Sequence, residues 1–306
     1  MRTKTKDKVI AILCSDLHLS LHATRARKDE NWFDAMGMQL AGLKMKADTY
    51  QVPIICAGDI FDKWNSPPEL INFAIKNIPT MICIPGQHDL PLHNHEDIKK
   101  SAYWTLVEAG TIHDLFSYDR QSIGANNNLM LHGFSWEQSV TPLKEKDLNY
   151  FHLAVVHEYI SMMNHDFPGC PKESRVNAFT KKLKGYDAAV FGDNHKGFYA
   201  KAGDVPVLNC GSFMRRNSDQ VNYKPHVGLL HKSGKIEIHY LDISNDVLEV
   251  TESKEVKEDI ELEEFLEELK NLRNNSLDFV QAMKEAIKIK KPSAGVKKLL
   301  LEAMEC

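Results

Sequence analysis

The sequence lacks any apolar stretch approaching the ~20 residues that a membrane-spanning helix requires. An apolar run near the N-terminus, 9–14, is too short for the core of a secretion signal and ends in Ser15 and Asp16. Cysteines in CxxC spacing, internal repeats and low-complexity tracts are also missing from the sequence. We therefore expect a reduced, cytoplasmic protein with no membrane segment.

The chain also lacks a strong excess of charge of one sign. Lysine and arginine number 38 against 42 aspartates and glutamates, which gives a formal net charge of -4. Bulk charge therefore argues against tight non-specific DNA binding by the chain alone, while a local basic groove stays open. Of the six cysteines, three lie inside apolar runs, where cysteine behaves as a small hydrophobe.

Short apolar runs alternate with amphipathic segments over the first two-thirds of the chain, which is typical of βαβ units. The runs are rich in Val and Ile and too short for helices, so we predict strands at 9–14, 52–57, 81–84, 129–131, 153–156, 188–191 and 205–208. Apolar spacing predicts helices at about 28–50, at 67–77 with Ser66 as N-cap, and at about 96–109, where Gly110 stops the helix.

The character of the chain changes after Gly211. Two further runs, 226–230 and 235–243, flank Ser233 and Gly234 and predict a β-hairpin. From Thr251 onward the chain is charged and carries apolar residues at helical spacing. We therefore predict a main domain over 1–250 and a small C-terminal helical appendage over 251–306, whose apolar stripe packs on this chain or on a partner.

Five of the predicted strands are followed by aspartate, histidine or an amide. The segments are DLH at 16–18, GDIFD at 58–62, PGQHD at 85–89, HE at 157–158 and GDNH at 192–195. Ligands bind at the carboxyl edge of the strands in α/β sheets, so these side chains should converge. Oxygen and imidazole donors without thiolate suit Mn, Fe, Zn or Mg. Their number exceeds the needs of one ion and predicts two, roughly 3.5–4 Å apart, with Asp59 shared between them.

The series DLH, GDIFD, GQHD, VVHE and GDNH resembles the calcineurin-type metallophosphoesterases, whose usual pattern is DxH, GDxxD, GNHD, H and GHxH. The resemblance runs in order from about residue 9 to 214. It implies an α/β fold, a four-layer α/β/β/α sandwich, with the small C-terminal helical appendage added to it. It also implies hydrolysis of phosphate esters with two divalent ions, for which we expect Mn, with Mg, Fe or Zn as alternatives.

Carried over by position, the resemblance implies two sets of metal ligands. The first ion would be held by Asp16, His18, Asp59 and His195. The second would be held by Asp59, Gln87, His157 and Asp193. Gln87 stands where the family has Asn and Asp193 where it has His, so we expect the second ion to bind more weakly or to be a harder one.

The resemblance also implies which residues take part in catalysis. His88 would be the unligated histidine that donates a proton to the leaving oxygen or stabilises charge. Asp89 would lie behind His88 and orient it. Asp62 is a third candidate, at a position where related nucleases often have His. For Asp62 and Asp89, a structural hydrogen-bonding role is an equally open interpretation.

A narrower resemblance rests on GDIF, on the spacing to GQHD and on NCGSFMRR at 209–216. These segments are similar to SbcD-type DNA repair nucleases, which act with an SbcC-type ATPase that has a long coiled coil. The resemblance implies a Mn-dependent DNA nuclease with a DNA substrate and such an ATPase partner, and it leaves a homodimer open. The cations Lys63, Lys196, Arg215 and Arg216 flank the motifs, either as phosphate contacts or as surface charge.

Two rival interpretations come from different classes. One is a phosphatase or cyclic-nucleotide phosphodiesterase, which would differ from a nuclease in its preferred substrate. The other is a non-catalytic scaffold that kept the fold and lost its metals. Because His88 and six of the eight ligand positions match the family pattern, with Asp59 counted twice, the sequence favours the enzyme.

Overall fold

A computed structural model describes residues 7–116, 121–123, 128–162 and 170–249. In these residues the first six strands are β1 (Val9–Cys14), β2 (Ile54–Cys56), β3 (Met81–Cys83), β4 (Ile112–Asp114), β5 (Gln121–Ile123) and β6 (Leu129–Phe134). The others are β7 (Phe151–His157), β8 (Ala188–Gly192), β9 (Phe198–Ala202), β10 (Val205–Asn209), β11 (His226–His231) and β12 (Ile236–Tyr240). The helices are α1 (Trp32–Tyr50), α2 (Pro68–Asn77) and α3 (Ala102–Glu108).

The described strands form two six-stranded sheets. The first has the order β12-β11-β1-β2-β3-β4, and the second has the order β5-β6-β7-β8-β10-β9. Strands β1 to β4 pair in parallel, and so do β6, β7, β8 and β10. The sequence VIAILC of β1 is buried along its whole length, as expected for a central strand covered on both faces. The loops after these parallel strands therefore emerge along shared edges.

Three cysteines lie side by side across the first sheet. Cys14 pairs in register with Cys56, and Cys56 pairs with Cys83. All three are fully buried, which agrees with their prediction as small apolar residues. The register also brings the loops that follow these residues together.

The layers follow from where each face of each sheet is buried. Ile10, Leu13 and Leu153 belong to the core between the two sheets, while α1 to α3 cover the outer face of the first sheet. The outer face of the second sheet packs against short turns, including the 3-10 helix Val176–Phe179. The α/β/β/α sandwich is confirmed, with a fourth layer that consists of such turns in the described residues.

Three helix boundaries differ from the predicted ones. Helix α1 begins at Trp32 because the extended Asn31 caps it, accepting hydrogen bonds from two backbone N–H groups. The prediction that Ser66 caps α2 is wrong: Pro67 is the N-cap, and the Ser66 hydroxyl donates to the Lys63 carbonyl. The third predicted helix is split, because Ser101 is extended between a 3-10 helix at His95–Lys100 and α3.

The remaining predictions concern the hairpin, the short strands, the C-terminal appendage and membrane segments. The hairpin is confirmed as β11 and β12, with Gly234 at a φ of 87° in its turn. The short strands β4, β5 and β9 were not predicted. The helical appendage at 251–306, and with it the boundary after residue 250, lies outside the described residues and stays a prediction. No helix in the described part of the chain is long and apolar enough to cross a membrane.

Candidate metal centre

The polar segments that follow the parallel strands meet at one edge of the sandwich. Each predicted ligand lies within 3.8 Å of at least one other. These residues are Asp16, His18, Asp59, Gln87, His157, Asp193 and His195. The geometry of this edge therefore agrees with a single cluster of donors and not with scattered polar residues.

Three side chains form the first half of the cluster. His18 Nε2 lies 2.9 Å from His195 Nε2 and 3.8 Å from Asp16 Oδ1. His195 Nε2 is 3.7 Å from the same aspartate oxygen. These three atoms are close enough together to hold one ion.

Asp59 lies between the two halves of the cluster. Its Oδ1 accepts a hydrogen bond of 3.0 Å from the His88 backbone N–H. Its Oδ2 is 3.6 Å from His18 Nε2 and 3.4 Å from His157 Nε2, and it is buried without a hydrogen-bond partner. A buried carboxylate oxygen is costly unless a donor or a cation satisfies it. This oxygen fits the predicted shared ligand of two ions.

The second half of the cluster contains both departures from the family pattern. Gln87 Oε1 accepts a 2.7 Å hydrogen bond from His157 Nε2, and Gln87 Nε2 donates to Asp193 Oδ1 at 3.0 Å. The two residues that depart from the family pattern, Gln87 and Asp193, are therefore hydrogen-bonded to each other. One amide oxygen, one imidazole nitrogen and one carboxylate converge here, which is a donor set that suits a hard divalent ion.

The protonation of His157 responds to the surrounding carboxylates. Burial lowers the pKa of His157, but the negative charges of Asp59, Asp16 and Asp193 outweigh burial and raise this pKa to about 10. Its Nδ1 donates to the Ala57 carbonyl at 2.6 Å, so the proton on Nε2 is the one that metal ligation must displace. The carboxylates thus keep His157 protonated, and its positive charge lies where the predicted ligand set would bind a metal cation.

Burial dominates the protonation of two other ligands. Desolvation raises the pKa of Asp16 well above its usual range. Desolvation also lowers the pKa of His18 to about 3, although the charge of Asp59 opposes this shift. A neutral imidazole has a free lone pair on one ring nitrogen, so His18 is in the form that binds metals.

Four of the predicted ligands have strained backbones. The φ angles are 52° at Asp16, 44° at His18, 54° at Asp59 and 82° at Asp193. Left-handed conformations at residues other than glycine cost about 1–3 kcal/mol each and cluster at functional sites. Here the surroundings enforce them, for example through the hydrogen bonds of the Asp16 N–H to the Gly58 carbonyl and of the His18 N–H to the Asp59 carbonyl. This strain turns the side chains toward a common centre.

Gly86 lets the β3 loop approach Asp59. A Cβ atom on Gly86 would lie 2.1 Å from Asp59 Oδ1 and 2.6 Å from the Asp59 backbone nitrogen. Such distances leave no room for a methyl group, so one of the two loops would have to move. Glycine at this position is therefore required by close approach.

Gly86→Ala is expected to destabilise the protein by about 2 kcal/mol and to weaken metal binding, because the added methyl group displaces Asp59. Gly42→Ala is the matched control, because a Cβ there meets nothing within 4 Å and Gly42 lies inside α1. The control should be neutral or stabilising by up to ~1 kcal/mol. Urea unfolding and Mn²⁺ calorimetry measure both effects, and equal behaviour of the two variants would contradict the steric argument.

His88 lies beside the cluster with one ring nitrogen fixed. Its Nδ1 donates to the Asp62 backbone carbonyl at 2.9 Å, and its ring meets that of His18 edge-on at 5.0 Å between centroids. The prediction that Asp89 orients His88 is wrong. The Asp89 carboxylate instead accepts hydrogen bonds from the backbone N–H groups of Gly86, Ile60 and Phe61 at 3.0–3.2 Å.

The hydrogen bonds of Asp89 therefore link the loop that follows β3 to the loop that follows β2. It is fully buried, and burial together with the charge of Asp59 raises its pKa to about 7, against the effect of its three backbone donors. A group that contacts only backbone amides is in a structural position. Asp62 differs, because its carboxylate faces side chains: it is 3.7 Å from His18 Nδ1 and accepts a 2.8 Å hydrogen bond from Arg216 Nη1.

The four flanking cations differ in their positions. Arg216 contacts Asp62, and its positive charge contributes to lowering the pKa of His18 and of His195, after the larger effects of burial. Arg215 is buried and donates to Asp246 Oδ2 at 2.9 Å, so its proposed phosphate contact is contradicted by an ion pair inside the protein. Lys63 and Lys196 are exposed.

Several supporting residues were missed by the sequence analysis. The Asn209 side chain donates to the carbonyl groups of Asn194 and Lys196, on either side of His195. Asn194 in turn donates to the Ile160 carbonyl at 2.7 Å. Amides that hold a loop have no spacing rule in the sequence, and only the fold reveals this pair.

Comparison with known families agrees with this geometry. The sequence profile of the calcineurin-like phosphoesterases matches residues 11–197, which is more than half of the chain. The chain therefore belongs to the calcineurin-like phosphoesterase family. Membership supports a metal-dependent phosphoesterase hydrolase with a dinuclear metal site, and the described residues contain candidate ligand groups for it.

Several solved structures are similar to the chain. An archaeal phosphodiesterase is 16% identical with a TM-score of 0.38, over 76% of this chain and 99% of that one. A putative 5'-nucleotidase from Staphylococcus aureus is 12% identical with a TM-score of 0.42, over 85% and 58% of the two chains. The NAD nucleotidase of Haemophilus influenzae is 14% identical with a TM-score of 0.41, over 76% and 50%. No curated protein matches the sequence.

Proposed function

We propose that this chain is a Mn-dependent nuclease that hydrolyses DNA phosphodiesters in repair, recombination or replication. The observation that carries its metal chemistry is Asp59 Oδ2, which is buried between His18 Nε2 and His157 Nε2 without a hydrogen-bond partner. The choice of DNA rests on the similarity of residues 209–216 to SbcD-type nucleases. Arg216 supports it, because its guanidinium lies beside the cluster, pairs with Asp62 through Nη1 and leaves Nε without a hydrogen-bond partner for a phosphate oxygen.

The donor set favours two ions of the Mn or Mg type. Bound to these residues, a pair of such ions would supply an activated water and neutralise charge on the phosphate. The first set would contain Asp16, His18 and His195, with Asp59 shared. Gln87 and Asp193 bring oxygen donors to the second set, so we expect weaker binding or a harder ion there. Two equally tight Mn²⁺ sites in a titration would contradict this expectation.

The role of His88 follows from its fixed ring. Because Nδ1 donates to the Asp62 carbonyl, Nε2 is the nitrogen that is left to exchange a proton with substrate. An imidazole at this place could hold the proton that a departing oxygen requires or stabilise negative charge on the phosphate. Asp62 thus positions His88 through its backbone carbonyl, while its carboxylate lies beside His18 and Arg216.

His88→Gln is expected to lower kcat on a DNA substrate about 100-fold, because glutamine cannot transfer the proton. The variant should still bind Mn²⁺ with the wild-type stoichiometry, since the seven predicted ligands remain. Steady-state kinetics and calorimetry measure the two properties. Loss of Mn²⁺ binding in parallel with kcat would place His88 among the ligands instead.

The proposed function is tested with purified protein in Mn²⁺ and in chelator. The substrates are linear double-stranded DNA, single-stranded DNA, methyl p-nitrophenyl phosphate as a small diester and p-nitrophenyl phosphate as a monoester. Mn²⁺-dependent DNA cleavage that is lost in His88→Gln supports the nuclease. Turnover of the monoester or of cyclic nucleotides without DNA cleavage would replace it with a phosphatase or phosphodiesterase, and failure to bind Mn²⁺ would favour a scaffold.

We also propose that the nuclease acts with an SbcC-type coiled-coil ATPase. The proposal rests on the resemblance and on the apolar stripe that the sequence places within 251–306. Co-expression with a candidate ATPase should yield a complex whose ATP hydrolysis responds to DNA, and removal of 251–306 should abolish the complex. Sedimentation of the chain without the ATPase tests whether it forms a homodimer.

A further inference from the structure

The loop after His88 exposes a large apolar side chain to solvent. Leu92 is 84% exposed and has a φ of 49°, and the exposed His93 that follows it has a φ of 60°. The hydrogen bonds of the His93 N–H to the Leu90 carbonyl and of the Asn94 N–H to the Pro91 carbonyl close this turn. Two consecutive left-handed residues are a strained arrangement of the kind that collects at binding sites.

A second loop lies against the first. Trp136 follows β6, and its ring centroid lies 5.0 Å from that of His93 at an interplanar angle of 42°. The His95 ring donates through Nε2 to the Trp136 carbonyl at 2.8 Å. The next residue, Glu137, is also left-handed with a φ of 63°. We call Leu92, His93 and Trp136 the apolar rim.

The apolar rim adjoins the metal centre. The Ser135 hydroxyl donates to the Pro85 carbonyl at 2.6 Å, immediately before the loop of Gly86 and Gln87. Strand β6 is parallel to β7, with Phe134 opposite Val156, so Trp136 emerges at the same edge as His157. The rim therefore flanks the Gln87 and His157 half of the centre, where a bound substrate would extend beyond the reacting phosphate.

We propose that the apolar rim binds an unstacked nucleobase of the DNA strand that is cleaved, an inference that rests on the proposed function. Aromatic side chains bind bases through stacking, which needs no particular sequence. Two exposed side chains, Leu92 and His93, backed by the half-buried Trp136, match the size of one base and are far fewer than the roughly 20–30 residues a side of a stable protein interface. A base that enters the rim has left the double helix, so single-stranded or frayed DNA is the preferred substrate.

The test compares two leucines of similar exposure. Leu92→Asn removes the apolar side chain and keeps the backbone, because asparagine tolerates left-handed φ angles. Leu148→Asn is the matched control, since Leu148 is 87% exposed and precedes β7 at the opposite end of that strand. His93→Ala removes the ring that faces Trp136.

Two readouts are measured on these variants. The first is the fluorescence of a single-stranded oligonucleotide containing 2-aminopurine, bound in Ca²⁺, where stacking quenches the signal. The second is kcat/KM in Mn²⁺ on that oligonucleotide and on methyl p-nitrophenyl phosphate. Leu92→Asn and His93→Ala should weaken quenching and lower kcat/KM on DNA about 10-fold, while the small diester and the Leu148→Asn control change less than about twofold.

Three outcomes would contradict the proposal that the apolar rim binds a nucleobase. Quenching that equals wild type in both rim variants excludes stacking. Equal losses on DNA and on the small diester would show that the rim only supports the metal centre. An abasic site that lowers the activity of wild type and Leu92→Asn by the same factor would place base contact elsewhere. If the wild-type protein cleaves no DNA, the proposed function fails, and the quenching experiment still decides whether the rim binds a base.

Discussion

Asp59→Asn is expected to lower phosphoester hydrolysis at least about 1,000-fold while leaving the protein folded. Asp59 is the side chain that approaches both halves of the centre, and its Oδ2 lies 3.4 Å from His157 Nε2 and 3.6 Å from His18 Nε2. Losing a shared negative ligand weakens both ions, whose stabilisation of the transition state is worth several kcal/mol. About 4 kcal/mol corresponds to a factor of about 1,000.

The asparagine side chain isolates this effect from folding. Its remaining oxygen can still accept the 3.0 Å hydrogen bond from the His88 backbone N–H, so the loop should keep its place. Mn²⁺ calorimetry should show loss of both binding events, and urea unfolding without metal should be close to wild type. His88→Gln serves as the contrast, because it should lose activity and keep both ions. Two intact Mn²⁺ sites in Asp59→Asn would refute the shared-ligand role.

Asp246→Ala is expected to lower the free energy of unfolding by about 3 kcal/mol, although Asp246 lies outside the metal centre. Its carboxylate, 7% exposed, accepts from Arg215 Nε at 2.9 Å and from Arg27 Nη2 at 3.1 Å. Arg27 keeps its second partner, Asp29, whereas Arg215 loses its carboxylate. Breaking a buried pair leaves an uncompensated charge, which is strongly destabilising.

An exposed ion pair provides the control for Asp246. Lys44 and Asp48 are 2.9 Å apart in α1 and both side chains are at least 60% exposed. Asp48→Ala should change the free energy of unfolding by less than about 0.5 kcal/mol, because surface pairs contribute little. Urea unfolding at neutral pH measures both variants. An Asp246→Ala loss as small as that of Asp48→Ala would mean that water or another acceptor solvates Arg215 in the variant.

The central strands were predictable because their signals are local, and so were the residue types that line the candidate metal centre. The run VIAILC is buried on both faces and reads as a strand without any tertiary information. The short edge strand β9 alternates between buried Phe198 and exposed Tyr199 and has too few residues for a clear pattern. The split of the third predicted helix depended on Ser101, whose extended backbone caps α3 against the helical spacing around it.

The errors at the site have a common cause. The resemblance implied that Asp89, the residue after His88, orients the His88 ring. The chain turns between them, so that the Asp89 carboxylate faces the backbone of Ile60 and Phe61 while the His88 ring meets the Asp62 carbonyl. Arg215 and Arg216 are likewise neighbours in sequence, yet one pairs with Asp246 and the other with Asp62.

The sequence by itself determined the order of strands and loops and the chemical types of the ligands, because residue identity and apolar periodicity are local properties of the chain. Tertiary structure alone decided the distances and hydrogen bonds between those groups. It brought His157 to Asp59 across 98 positions of sequence, left Asp59 Oδ2 without a hydrogen-bond partner, and joined the Leu92 and Trp136 loops. These contacts depend on how the two sheets pack against each other and on strained backbone conformations. No local sequence pattern specifies either of them.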